Sequence, residues 1–169
     1  MLRTLIPWFT ALVVIAADRA TKIAIMTRLT PGSFHEVFPG LALTHVHNRG
    51  IAFSLFADGG PMSRLLLHMV IVVAVVVIMW MVVRHGHHHL LAGLSFGLIL
   101  GGALGNLTDR VLFGWVVDFI HVWVKLGGNV WSWPDFNIAD SAISVGAILL
   151  IATELFSSRE EAPDAPDSD

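Results

Sequence analysis

The sequence contains no cysteine. That excludes disulfides, thiolate metal sites and a cysteine nucleophile together, and it leaves the redox compartment unread. Charge is scarce as well: Asp, Glu, Lys and Arg make up 14% of the 169 residues, and the formal net charge is -3. A nucleic-acid partner would need a basic face, so none is expected. The acidic excess gathers in the tail from Glu160 to Asp169. Common hydrolase signatures give no support either. Gly-x-Ser-x-Gly occurs once, at Gly93 to Gly97, but inside an apolar run and not at a strand-to-helix elbow, and there is no Gly-x-Gly-Asp. "HEVFP" at His35 opens like HExxH, but Pro39 holds the second histidine position and the stretch lacks helical character.

What is present is apolar: 55% of residues are hydrophobic and the mean hydropathy is +0.73. Both exceed what a soluble domain of this length needs for its core. Crossing roughly 30 Å of hydrocarbon takes about 20 helical residues, and four segments qualify: 5–26, 65–83, 90–107 and 138–156. The expected fold class is therefore an all-α membrane protein with four transmembrane helices, forming a single domain over residues 1–156. The first segment begins like a signal peptide, with Arg3 before an apolar run ending at Ala16 and Ala17. Apolar residues resume at Ile23 to Met26, however, and lengthen it past a usual signal. The tail 157–169 is acidic, Pro-rich and expected to be disordered.

Four spans place the termini on one side and the loops 27–64 and 108–137 on the other. In the first loop, Leu41, Leu43 and the Phe53 to Phe56 region read as short strands between Gly and Pro punctuation, giving a small sheet on the membrane surface. The second loop carries four of the six tryptophans, as expected of an interfacial segment. Two histidine groupings invite a metal reading. "HGHHH" at His85 to His89 falls on the other side of the membrane and reads as a solvated turn. His45 and His47 would share a face of a strand, a weak cation site at most. No metal and no cofactor is expected.

Ionisable groups in apolar spans point to function. Asp18, Asp109, Asp118 and Asp140 all fall toward the same membrane face. "NLTDR" at Asn106 to Arg110 and "NIADS" at Asn137 to Ser141 repeat one pattern. On a helix the i, i+3 and i+4 positions share a face, so Asn106 projects with Asp109 and Arg110, and Asn137 with Asp140 and Ser141. Arg110 is expected to neutralise a carboxylate by a bidentate pair. Two carboxylates close together in a low dielectric share one proton and can act as general base and general acid on water. That is aspartic-protease chemistry.

These residues resemble a known family, the lipoprotein signal peptidases (signal peptidase II). The resemblance runs from Asp18 to Ser144 through "DRATK", "HNRGIAFS", "GGALGNLTDRVLFGWVVDFI" and "FNIADSAI". It implies a bacterial inner-membrane aspartyl endopeptidase with a sheet cradle on the periplasmic side. Such an enzyme removes the signal peptide of a diacylglyceryl-modified prolipoprotein by cutting before the lipidated cysteine. By position the catalytic pair would be Asp118 and Asp140. Asp18, Asn48, Gly50, Asn106, Asp109, Arg110, Asn137 and Ala139 would be supporting or substrate-binding, with Asn48 and Arg110 touching substrate. Lipid-modified prolipoproteins and membrane lipids would be the partners, a monomer the working form, and peptide antibiotics such as globomycin inhibitors. The family orientation places the termini in the cytoplasm. A count of loop charges, which includes Arg19, Lys22 and Arg110, places them outside, and the family orientation is preferred. Arg19, Thr21 and Ile51 depart from the family pattern, and Ile51 would narrow the pocket. "FADGG" at Phe56 to Gly60 would form a lid.

Two other readings compete. A proton-coupled transporter would use Asp18, Asp109 and Asp140 as a relay through the membrane depth, with repeats in the two halves. A non-catalytic membrane scaffold would recruit partners through its tail and tolerate Asp118→Asn.

Overall fold

The computed structural model describes residues 2–50, 61–85 and 89–160. Helix α1 (Leu2–Arg28) leads into strands β1 (Phe34–Phe38) and β2 (Leu41–Asn48). Helices α2 (Pro61–His85) and α3 (Leu90–Phe113) follow, then β3 (Val116–Leu126), β4 (Asn129–Ser132) and α4 (Ile138–Glu160). The strands form one antiparallel sheet in the order β1-β2-β3-β4.

Each helix outruns the expected span. The most consequential extension is in α3, which continues to Phe113 and carries Asp109 and Arg110 in its last turns rather than beyond its end. The stop is Gly114, which takes a left-handed conformation (φ 79°) and donates its N–H to the Arg110 carbonyl at 3.0 Å. A side chain disfavours that backbone region, so glycine ends the helix cleanly and β3 starts two residues later. At the other end of the chain α4 reaches Glu160, so residues 157–160 are helical and not part of a disordered tail.

Helix α3 touches all three other helices. Its contacts are close because it presents glycines. A Cβ on Gly102 would collide with the Ala139 carbonyl, and one on Gly105 would lie 2.8 Å from Asp18 Oδ2. Small residues let helices approach where lipid supplies no hydrophobic drive between them. Phe96 and Leu100 fill the bundle with Ala11, Val75, Val82 and Ala92. A second cluster of Ile25, Val117 and Phe119, with Trp115 and Ile138 against it, joins the sheet to the end of α1 and the start of α4.

Outward faces remain apolar, with Phe9, Leu12, Val70, Val73, Val76, Ile148 and Ile151 exposed. Among the described residues, only Leu90–Phe113 is a helix long and apolar enough by itself to cross a membrane; Met69–Arg84 and Ile138–Thr153 are shorter apolar stretches. In α1 the apolar run is interrupted by Asp18, Arg19 and Lys22. Among the described residues the fold is thus four helices plus a four-stranded sheet. That sheet is larger than expected, because the Trp-rich second loop supplies β3 and β4. The strand expected near Leu41 and Leu43 is β2, whereas the one expected near Phe53 to Phe56 lies outside the described residues.

Candidate active site

The last turns of α1 and α3, the first turn of α4 and the facing halves of β2 and β3 converge at one end of the bundle. Asn137 organises the junction. It immediately precedes α4, where the first amide groups have no partner within the helix. Its Oδ1 accepts the Asp140 N–H at 3.0 Å, while Asp140 Oδ2 accepts the Asn137 N–H at 3.2 Å. This is a reciprocal capping box with Asp in the place usually held by Glu. Asn137 Nδ2 donates to Asp118 Oδ1 at 2.7 Å. One asparagine therefore holds both carboxylates.

Asp118 reaches the junction from β3, opposite Val46 of β2, just past an irregularity in the register between Leu43 and Val46. Its second oxygen accepts from Asn48 Nδ2 at 2.9 Å, and Asn48 Oδ1 accepts the Gly50 N–H at 2.9 Å. Asp118 is 2% exposed. Burial and the neighbouring Asp140 charge push it up to about 7 from the ordinary 3.8, against the Asn48 and Asn137 donors that favour the charged form. Asp140 Oδ1 accepts from Asn106 Nδ2 at 2.7 Å. The orientation of that amide is fixed by chemistry: Asn106 Oδ1 accepts from Lys22 Nζ at 2.9 Å, and an ammonium can only donate.

Lys22 is the residue that sequence reasoning missed. Its side chain is fully buried and pairs with Asp18 Oδ2 at 2.8 Å and Asp109 Oδ2 at 2.9 Å. Near a span end it reads as a charge for setting topology. The signal that would have found it is Asp18, one helical turn earlier in an apolar run, since i and i+4 positions meet. Arg19, counted the same way, pairs with Asp109 Oδ1 at 3.2 Å. Asp18 Oδ1 in turn accepts the Ala139 N–H at 3.0 Å, tying α1 to the start of α4, and Asp109 Oδ2 accepts the Val117 N–H at 3.3 Å.

All ten residues singled out from the sequence are therefore in one connected network, with two revisions. Among the described residues Arg110 forms no bidentate carboxylate pair: Nη2 donates to the Gly50 carbonyl at 2.8 Å and Nη1 to the Asn106 carbonyl at 3.4 Å. The carboxylate on its own helical turn, Asp109, is already taken by Lys22 and Arg19. Ser141 donates to the Asn137 carbonyl at 2.9 Å, so it serves the helix and not the carboxylates. His35 lies in β1, which rules out a helical HExxH. Ile51 and the Phe56 to Gly60 segment lie outside the described residues, as do residues 86–88 of the histidine tract.

The whole constellation falls inside a known family. Residues 10–156 match the family model described as signal peptidase (SPase) II. The chain belongs to the signal peptidase II family. The lipoprotein signal peptidase of Burkholderia thailandensis is 45% identical over 152 residues, covering 89% of each chain. That of Paraburkholderia phymatum is 42% identical over 153 residues, 90% of this chain and 89% of its own. Two solved structures agree, both bacterial membrane enzymes determined by the in meso method. One, at 2.3 Å resolution, has a TM-score of 0.79 and 29% identity over 94% of this chain and 93% of its own. The other, at 1.9 Å, has a TM-score of 0.75 and 31% identity over 88% and 92%. Family membership and site geometry thus point to the same chemistry, peptide hydrolysis.

Proposed function

We propose that the chain is a membrane aspartyl endopeptidase that removes the signal peptide from diacylglyceryl-modified prolipoproteins, with Asp118 and Asp140 as its catalytic pair. The observation that carries this is Asn137, which bonds Asp118 through its amide and Asp140 through its backbone, at 2.7 and 3.2 Å. Two carboxylates held that close cannot both ionise easily, so the pair carries one proton near neutral pH.

In this mechanism Asp140, ionised, takes a proton from the attacking water as its oxygen bonds to the scissile carbonyl carbon. Asp118 gives its proton to the carbonyl oxygen. The tetrahedral intermediate collapses by breaking the C–N bond: its hydroxyl returns a proton to Asp118, and the amine leaves with the proton held by Asp140. Asn48 and Asn106 hold the carboxylates in register. Arg110 binds substrate: it lies at the junction, and its Nε is buried with no partner among the described residues.

The four helices span the bacterial inner membrane and the sheet lies on its periplasmic surface, with the termini cytoplasmic. The loop-charge count that argued otherwise loses weight once Arg19, Lys22 and Arg110 are spoken for inside the site. The working form is a single domain and a monomer, with globomycin-type peptides as inhibitors. The relay reading is disfavoured because its carboxylates cluster at one end of the bundle.

The test is cleavage of a diacylglyceryl-modified prolipoprotein by purified protein in detergent. Wild type should cut before the lipidated cysteine, with or without a chelator, and Asp118→Asn and Asp140→Asn should each be inactive. Residual cutting by either variant at more than a few per cent of wild type would remove the pair from the mechanism.

A further inference from the structure

The catalytic network uses neither His45 nor His47, yet strand β2 brings their rings together. His45 Nδ1 lies 2.8 Å from the Leu29 carbonyl. A carbonyl can only accept, so His45 carries its proton on Nδ1 and turns a lone pair on Nε2 outward. His47 Nε2 faces it at 3.1 Å.

Two imidazole nitrogens on one ion at about 2.05 Å would lie about 2.9 Å apart in a square plane and about 3.3 Å apart in a tetrahedron. The observed 3.1 Å falls between. Ring direction agrees. If the two nitrogens met head-on, the ring centroids would stand about 5.4 Å apart, whereas rings converging on a shared ion at this spacing would stand about 4.8 Å apart. They stand 4.9 Å apart, with planes inclined at 70°. The remaining contacts fix the rings. His45 is 3% exposed, and His47 stacks on Trp115 with centroids 4.7 Å apart. His47 keeps an exposed edge, which gives an ion a way in.

We infer that His45 and His47 form a binding site for a borderline divalent transition metal, of the Zn2+ or Cu2+ type, separate from the peptidase chemistry. Imidazole suits these ions, and the Leu29 carbonyl does for His45 what an outer-shell acceptor does for a metal-bound histidine, fixing tautomer and orientation. In the metal-free protein His47 donates Nε2–H to His45. On loading, that proton moves to His47 Nδ1, so no net charge is released. Among the described residues no third His, Asp or Glu completes the set, so water fills the other positions. The nearby Arg49 cation opposes binding and limits its strength. The site adjoins the active site through the backbone, since His47 precedes Asn48, which holds Asp118.

The test uses the full chain, purified in detergent without a histidine tag. His85, His87, His88 and His89 are all changed to Asn, so that the turn tract cannot contribute. One equivalent of Cu2+ should bind, and pulsed EPR should show modulation from two remote imidazole nitrogens. His47→Gln and His45→Gln should each weaken binding roughly tenfold or more and leave at most one imidazole. His47→Gln is the safer variant because its ring is exposed; the EPR count on the otherwise unaltered chain does not depend on any variant folding. Failure of the chain to bind an equivalent of Cu2+, or binding that both substitutions leave unchanged, would overturn the assignment.

Discussion

Lys22→Met removes one charge and nearly no volume, and it should be the most damaging single substitution outside the proposed pair, Asp118 and Asp140. Lys22 has no solvent exposure and bonds Asp18, Asp109 and Asn106 at 2.8, 2.9 and 2.9 Å. Replacing it leaves two carboxylates, each at most 2% exposed, with the partly exposed Arg19, and Arg110 from beyond ion-pair distance, to offset them. Stripping one partner from a buried ion pair costs about 3–5 kcal/mol. For a chain of this size that corresponds to a fall of roughly 10 °C in the melting temperature. A second effect is local: Asn106 Oδ1 loses the ammonium and keeps only the Asn137 Nδ2 donor at 3.2 Å, which loosens the amide that holds Asp140. Thermal unfolding in one detergent, followed by near-UV circular dichroism, reads the first effect, and cleavage well below the melting temperature reads the second. Asp109→Asn in the Lys22→Met background should recover part of the stability by discharging the stranded carboxylate, and should not recover cleavage. A Lys22→Met protein that melts within about 1 kcal/mol of wild type would refute the buried-pair argument.

Other predictions follow from the same geometry. Asn48→Ala removes a donor to Asp118 and the acceptor for the Gly50 N–H. It should cut kcat about tenfold or more and leave the fold intact, since a hydrogen bond to a charged group contributes about 1.5–3 kcal/mol; steady-state cleavage checks it. Gly105→Val places bulk where even a Cβ would meet Asp18 Oδ2 at 2.8 Å, and should lower stability by about 1–3 kcal/mol or more, with Gly105→Ala milder. Asp118 fixes the pH dependence. Pushed up to about 7 from 3.8, it favours the protonated folded form, so its stabilising contribution is complete below 3.8 and is lost as pH rises through about 7. Asp118→Asn should therefore gain stability over wild type at pH 8, with a ceiling of about 4 kcal/mol, and lose that advantage toward pH 4. For the wild-type enzyme, kcat/KM should fall on the alkaline side with a midpoint near 7.

What could be read from the sequence was governed by period and by cost. Apolar runs announced four helices, and isolated aspartates within them announced a site because a lone charge there is expensive. The NxxD spacings placed Asn106 and Asn137 beside the carboxylates, although Asn137 caps α4 instead of lying on its face, an outcome that helical periodicity cannot foresee. Two things were hidden. Strands β3 and β4 were masked by their tryptophans, whose interfacial preference is independent of backbone conformation. The cations Arg19 and Lys22 are counted with the loop-side charges, and their acidic neighbours mark such charges as candidates for function without naming a partner, because a basic residue near a span end ordinarily extends its charge to the interface; here carboxylates on two helices draw that charge inward.

Those cations also explain why the pair should rest with one proton. The network contains four carboxylates, Asp18, Asp109, Asp118 and Asp140, and three cations, Arg19, Lys22 and Arg110. With a proton on Asp118, three negative charges meet three positive ones and the cluster is neutral. Removing that proton leaves an uncompensated charge where desolvation is severe, in keeping with the upward push on Asp118. With that proton on the pair, the neutral state is also the one that supplies one acid and one base. The same balance constrains Lys22→Met: losing a cation makes the cluster negative, and uptake of a second proton restores neutrality. The stability deficit of that variant should then shrink as pH falls from 8 to 5, while its cleavage stays low because the proton goes to Asp18 or Asp109, the carboxylates Lys22 leaves behind, and does not restore the Lys22 bond to Asn106. A deficit that is constant across that range would show that the charges are balanced from outside the network.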